Sequence, residues 1–290
     1  LGRFLVDDDW FGIQYVSAFA LEVERPIGMN SLRVVLIGAG NVAWNLAQRA
    51  HVQGIKVLQV YSRKKEKAFE LAQLVDASAI NDLAAIDLTA TCYILAVSDS
   101  AIASVVKKMR EELPPSAFVV HTSGATPLTV LQNHFAHCGV LYPLQSFSKT
   151  RTVDFSQLPL CLETARPEDY PPLEKFAYRL SQVVHPIGFE QRQILHLAAV
   201  FVNNFVNHLY HIGETILEPQ ALPFSLLLPL IQETAAKVKE HAPLDMQTGP
   251  AIRRDETTIS RHLALLADQP ELQKLYTFFS TSIQKNTKHH

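Results

Sequence analysis

Cysteine, tryptophan, methionine and net charge are all scarce in this sequence, and each scarcity excludes something. Three cysteines in 290 residues (Cys92, Cys138, Cys161) are odd in number and far apart. They form neither a disulfide framework nor a CxxC metal pair and point to a reducing cytoplasm. Charge nearly cancels, with 26 Lys+Arg against 28 Asp+Glu, so the basic excess that nucleic-acid binding requires is missing. The longest apolar stretches, Ile194 to Phe205 and Ala221 to Ile231, fall short of the ~18–20 residues of a membrane span, and His196, Asn203 and Asn204 interrupt the first. Asp7, Asp8 and Asp9 stand where an export signal would carry basic residues and an apolar run, so export is not expected. Apolar residues are plentiful. At 48% hydrophobic the chain can bury a sizeable core in one large or two modest domains.

Residues 1–28 carry no pattern that points to chemistry and are set apart as an N-terminal extension of unknown role. The closing His289 and His290 are given no metal role. From Leu32 onward, short β-branched runs alternate with amphipathic stretches, which predicts an α/β class with a mostly parallel, doubly wound sheet. Predicted strands are Arg33 to Ile37, Lys56 to Tyr61, Thr91 to Val97, Phe118 to His121 and Val140 to Tyr142. Two more, Leu158 to Leu162 and Val183 to Ile187, flank a helix begun by Pro171 and Pro172 and are expected to extend the sheet. Beyond Gly188 only helical patterns remain: Gln191 to Leu217, Ser225 to His241, Glu256 to Ala267 and Glu271 to Gln284. The expected division is therefore a nucleotide-binding domain over 29–188 and a helical domain over 189–290.

The first predicted strand runs into Gly38-Ala39-Gly40-Asn41-Val42-Ala43, a GxGxxA sequence that opens a helix. In that context Gly38 serves the tight turn and Gly40 lets the backbone approach a pyrophosphate. Ala43 keeps helix and strand close, and the helix N-terminus faces the phosphates. The second strand ends at Tyr61-Ser62-Arg63-Lys64-Lys65, with no acidic residue to hold ribose hydroxyls. Ser62, Arg63 and Lys64 instead suit a 2′-phosphate, so the expected cofactor is NADP; three basic residues opening a surface helix can also be a solvated face. Ligands in such sheets bind beyond the carboxyl ends of strands. That adds Ala96, Val97 and Ser98 after one strand and His121 after another as cofactor-binding candidates. Ser98 can equally cap a helix, and His121 can equally be an interior histidine.

In Gln191 to Leu217, Arg192, His196, Asn203, Asn207 and Tyr210 share an arc at ~100° per residue on an otherwise apolar helix. A buried polar stripe needs partners, so it is either a polar packing interface or an active-site wall. His196 is the candidate acid, because hydride transfer to a carbonyl or imine needs a proton delivered near neutral pH. Asn203 or Asn204 can orient the substrate, with the arc favouring Asn203, and Ser123 can donate to the reacting oxygen or nitrogen. Arg253 and Arg254, in the loop Thr248 to Asp255, can clamp a carboxylate, while Asp255 reads equally well as a helix N-cap.

Taken together, these motifs resemble the NADP oxidoreductases that join a Rossmann-like domain to a helical domain of unknown function, within the 6-phosphogluconate dehydrogenase-like superfamily. The likeness rests on Val34 to Ala43, Ser98-Asp99, His121 to Ala125, Tyr142 to Phe147, His196 to Phe205, Thr248-Gly249-Pro250, Arg254-Asp255 and His262. Superfamily relatives include pyrroline-carboxylate reductase and deazaflavin-dependent NADP oxidoreductase. The β-hydroxyacid dehydrogenases of the group use a Ser-Gly-Gly substrate loop, which Ser123-Gly124 resembles, and a Lys with an Asn four residues later. No Lys occurs between Glu190 and Ala236, so that mechanism does not transfer, and His196 with Asn203 or Asn204 is expected in its place. The resemblance implies a homodimer built through the helical domains. The reading is an NADP(H)-dependent oxidoreductase whose helical domain closes over a small carbonyl or imine. The alternatives are a catalytically inactive NADP-binding sensor and a deazaflavin-linked reductase.

Overall fold

A computed structural model describes residues 32–286; the extension over 1–28 and the terminal histidines lie outside the described residues. Backbone contacts divide the chain into two compact units that meet at Asn203 and Asn204.

The first unit is built on eight strands: β1 (Arg33–Ile37), β2 (Lys56–Tyr61), β3 (Ser78–Ile80), β4 (Cys92–Leu95), β5 (Phe118–His121), β6 (His137–Pro143), β7 (Leu160–Thr164) and β8 (Val184–Pro186). They lie in the order β3-β2-β1-β4-β5-β6-β7-β8. Pairing is parallel from β3 to β6, antiparallel between β6 and β7, and parallel again to β8. The chain leaves β1 toward β2 and β3, then returns to build β4 on its other side, so a topological switch point lies between β1 and β4. In open α/β sheets ligands bind at such a point, beyond the carboxyl ends of the strands.

Helices α1 (Asn41–Val52), α2 (Lys65–Leu74), α3 (Asp99–Glu112), α4 (Thr129–Gln132) and α5 (Tyr170–Leu180) cover the sheet. The period-two alternation of strands divides the core. Val34 and Leu36 of β1 pack with α1, α2 and α5, whereas Val35 and Ile37 pack with α3 and α4. Burial on both faces is why these strands read as continuous apolar runs. The sequence reading omits β3, a three-residue edge strand with no apolar run to mark it.

Helix α6 (Phe189–Ala199) and a π-helical segment (Val200–Phe205) follow, then α7 (Val206–Leu217), α8 (Leu228–Lys237), α9 (Glu256–Leu265) and α10 (Pro270–Asn286). Thus α6 falls in the unit of the sheet, and α7 to α10 form the second unit. The structure corrects the polar-stripe argument in two ways. First, Arg192 is the buried residue of α6, while Ile194 and Leu197 of the same helix are exposed; the helix is not an apolar rod with a polar seam. Second, turns between Val200 and Phe205 are π-helical, so a 100° step does not hold through Asn203 and Asn204. No helix among the described residues is long and apolar enough to cross a membrane.

Candidate active site

The glycine loop meets its geometric requirements by two separate routes. Gly38 has φ of +130°, and a Cβ there would lie 2.3 Å from the Ala96 carbonyl oxygen. Buried Ala96 is therefore the floor on which the β1 turn rests. Gly40 has an ordinary extended backbone and caps α1 with no side-chain hydrogen bond, and a Cβ there would meet nothing within 4 Å. Its carbonyl accepts from the Trp44 N–H at 2.8 Å, while the N–H groups of the first turn point beyond the helix end. Open space over Gly40 and an α1 first turn without acidic residues fit a pyrophosphate.

At the end of β2 the Ser62 hydroxyl oxygen accepts from the Lys64 N–H at 3.3 Å, leaving its proton free to donate. Arg63, Lys64 and Lys65 are exposed, and none pairs with a carboxylate among the described residues. That donor set fits a 2′-phosphate. Ala39 is buried, Asn41 is exposed and Val42 is half-buried beside it. After β4, Val97 is half-buried and Ser98 exposed. Ser98 occupies the N-cap of α3 without a side-chain cap bond to the backbone, its hydroxyl lying 3.4 Å from that of Ser100.

The loop after β5 departs from the sequence reading. His121, expected among the cofactor-binding residues, is 0% exposed and presents no atom to a nucleotide. Its Nδ1 accepts from the Ser123 N–H at 3.2 Å. Burial, and then the Arg192 charge, push its pKa down to about 3, so the ring is a neutral interior group. Ser123, expected to touch the substrate, is 6% exposed. Its Oγ donates to Thr126 Oγ1 at 2.9 Å and accepts from the N–H groups of Ala125 and Thr126. The hydroxyl is consumed in shaping its own turn. Gly124 is likewise not an open substrate loop: a Cβ there would lie 2.8 Å from both His196 Nδ1 and Tyr142 Cζ. Glycine is required because two rings pack on its backbone.

The neutral state of His121 has a measurable consequence. An unfolded histidine takes up a proton near pH 6.5, and the folded one does so only near 3. Between those values the unfolded state binds more protons, so stability falls as pH drops. At pH 5 the loss is about 2 kcal/mol. The carboxylates that hydrogen bonds hold below their ordinary values, Asp87, Asp154 and Asp255, act only below about pH 4. Thermal midpoints should therefore decline already between pH 6.5 and 5 in the native chain and stay flat there in His121→Asn, whose amide oxygen keeps the bond from Ser123. Parallel declines in both proteins would show that another group controls this range.

His196 is half-buried, and its Nδ1 lies 3.1 Å from the Tyr142 hydroxyl, the rings meeting edge-to-face. Tyr142 ends β6, and the sequence reading assigned it no chemistry. Burial, helped by Cys161 and the Asp99 carboxylate, pushes its phenol up to about 12. One turn before His196, Arg192 is 0% exposed. It pairs with Glu163 of β7 and donates through Nη2 to the Thr126 carbonyl at 2.8 Å. This cation, on the arc read as either polar packing or an active-site wall, takes the packing role and ties α6 to the sheet and to the turn after β5. A polar residue at the carboxyl end of a strand was the available signal for Tyr142; no sequence signal pairs Arg192 with Glu163.

Asn203 and Asn204 are both exposed. In the second unit, Arg253 and Arg254 are exposed, with Arg254 in the left-handed region at φ 53°, and neither pairs with a carboxylate among the described residues. Asp255 caps α9, accepting from the Thr258 N–H at 3.0 Å and the Thr258 hydroxyl at 2.7 Å.

A GxGxxA turn at the switch point, exposed basic residues after β2 that fit a 2′-phosphate and an imidazole at the same sheet end are the features of an NADP-dependent oxidoreductase. Residues 33–124 match the family NADP oxidoreductase coenzyme F420-dependent, and residues 158–283 match a domain of unknown function, DUF2520. A solved protein from Bacteroides fragilis, assigned as an NADP oxidoreductase, is 46% identical, with a TM-score of 0.85 over 88% of this chain and 99% of that one. The chain belongs to that NADP oxidoreductase family, and its cofactor is NADP. Two more distant structures share the fold. A reductive aminase from Aspergillus terreus in complex with NADPH and ethyl-5-oxohexanoate is 14% identical, with a TM-score of 0.66 over 90% and 96% of the chains. An imine reductase from Myxococcus stipitatus in complex with NADP+ is 15% identical, with a TM-score of 0.60 over 87% and 93%. No functionally curated protein matches the chain.

Proposed function

We propose that the chain reduces a small carbonyl or imine with NADPH, His196 delivering the proton. The observation that carries this reading is the His196 ring, fixed against Gly124 and Tyr142 at the carboxyl ends of β5 and β6 yet still half-exposed. Gly38 to Val42 bind the pyrophosphate, Ser62, Arg63 and Lys64 the 2′-phosphate, and Val97 and Ser98 line the cofactor. Bound NADPH supplies the hydride. The substrate class is supported by fold neighbours, a reductive aminase bound to the ketone ethyl-5-oxohexanoate and an imine reductase. Asn203 or Asn204 orients the substrate, and Arg253 with Arg254 serves an anionic group on it.

Residues 29–188 act as the nucleotide-binding domain, and residues 189–290 as the substrate and dimerisation region. A homodimer is supported by the apolar surface each unit leaves exposed: Ile194, Leu197 and Val202 in the first, Leu226, Leu230 and Phe278 in the second. Large apolar side chains left this exposed are what a subunit interface would cover. Sedimentation of the native chain at twice its 32.4 kDa mass checks this. Unpaired, buried thiols support a cytoplasmic location, and the near-neutral charge supports the absence of a nucleic-acid partner.

The test is NADPH consumption with a panel of small ketones, aldehydes and cyclic imines, beside fluorescence titration with NADPH and NADH. Arg63→Ala should weaken NADPH, but not NADH, by roughly 5- to 150-fold, the equivalent of a charge-assisted hydrogen bond of about 1–3 kcal/mol. Tight NADPH binding without consumption by any panel member would favour a nucleotide sensor. The coenzyme named in the family description of residues 33–124 supports a second reading, deazaflavin-linked electron transfer, and the deazaflavin therefore belongs in the panel.

A further inference from the structure

We propose that Tyr142 is the positioning residue of His196: by engaging Nδ1 it makes Nε2 the nitrogen that exchanges a proton with substrate. This deepens the reading above and rests on His196 being the proton donor. The ring has two nitrogens, and one of them, Nδ1, lies 3.1 Å from the Tyr142 hydroxyl. That hydroxyl belongs to a residue 8% exposed, next to Pro143 at the carboxyl end of β6. Its partner cannot drift away, because Gly124 offers the ring a backbone face that any side chain would close. Arg192, one helical turn earlier, clamps α6 to Glu163 and Thr126.

A phenol both donates and accepts, so it can follow either state of the imidazole. Beside a neutral ring, the Tyr142 O–H donates to Nδ1 and the ring proton sits on Nε2. Beside an imidazolium, Nδ1–H donates to the phenol oxygen. Burial keeps the phenol protonated across the working range, so Tyr142 holds its own proton and does not act as the acid. In reduction, the Nε2–H bond of the imidazolium breaks as the new O–H or N–H bond of the product forms. The electron pair of the broken bond stays on Nε2 and the remaining ring proton on Nδ1, donated to the Tyr142 oxygen; a proton taken up from solvent at Nε2 restores the imidazolium. The charged groups within electrostatic reach of the phenol are Asp99 at the start of α3 and Arg192 on α6. Asp99 raises the pKa of the phenol and Arg192 lowers it.

The test is long-range proton–nitrogen correlation NMR on the full chain labelled with ¹⁵N-histidine, the His196 signals being assigned by their loss in His196→Gln. In the native protein above neutral pH we expect a single tautomer protonated on Nε2, with Nδ1 shifted as a hydrogen-bond acceptor. Tyr142→Phe keeps the ring contact and removes the hydroxyl; its Nδ1 signal should move to the position of a free acceptor, with the thermal midpoint nearly unchanged. With any substrate found by the panel, kcat should fall about tenfold or more at unchanged NADPH affinity. The native spectrum tests the assignment by itself if Tyr142→Phe does not fold. A native Nδ1 signal at the position of a free acceptor, or one that the substitution leaves in place, overturns it. A tethered Nδ1 in a protein that consumes no NADPH supports the tether and removes the catalytic reading instead.

Discussion

Aspartate in place of Gly40 should raise the Kd for NADPH by about 100-fold or more while leaving the thermal midpoint unchanged or slightly higher. The backbone at Gly40 is extended and ordinary, and a side chain there meets only open space, so nothing in the fold requires glycine. Aspartate is also a better N-cap than glycine, by a few tenths of a kcal/mol. Its carboxylate would occupy the N–H groups of the α1 first turn and place negative charge where the pyrophosphate approaches. The neighbouring glycine should behave in the opposite way. Gly38→Ala forces a Cβ to 2.3 Å from the Ala96 carbonyl oxygen at φ +130°, a conformation and a clash that cost at least about 3 kcal/mol. Its expected result is a chain that melts early or fails to fold. If Gly40→Asp bound NADPH like the native chain, the nucleotide would not lie at the α1 N-terminus and the site would have to be sought elsewhere.

The second large effect concerns the acid. His196→Ala, and His196→Gln as a variant closer in size, should reduce NADPH consumption by about 10²–10⁴-fold, the contribution typical of a positioned proton donor. NADPH affinity should stay within about twofold, because the residues proposed to hold the pyrophosphate and 2′-phosphate lie in the β1–α1 turn and after β2, not on α6. The glutamine keeps an amide to meet Tyr142, yet it cannot deliver a proton, so the two variants should lose activity alike. Activity retained in His196→Gln would move the acid to another group, and loss of NADPH binding in both would mean that His196 supports the cofactor instead.

Much of the nucleotide half was legible in the sequence. β1, β2 and β5 end where the apolar runs end, and the turn after β1 carries its glycines at the two positions the geometry uses. These features are local: a strand buried on both faces must be apolar throughout, and a left-handed turn must be glycine. The antiparallel β7 was not legible, since apolar alternation is the same in either direction. The residues after β5 show how far a strand-end rule reaches. It placed His121, Ser123 and Gly124 at the correct edge of the sheet, but could not say that His121 turns inward, that the Ser123 hydroxyl closes its own turn, or that Gly124 lies under two rings.

Of the two readings of the α6 stripe, polar packing holds for Arg192, and periodicity alone could not choose between them. Helical periodicity assumes one apolar face toward one core, whereas Ile194 and Leu197 are exposed and the π-helical turns after Ala199 break the step on which the count relied. Tyr142 and His196, and Arg192 and Glu163, are partners 54 and 29 residues apart. The sequence by itself determined the α/β class, the order of elements and the NADP loop, because each depends on residues adjacent in the chain. Tertiary structure alone decided which histidine is sealed and which is presented, because desolvation and hydrogen-bond partnership are set by segments that meet only when β5, β6, β7 and α6 pack together.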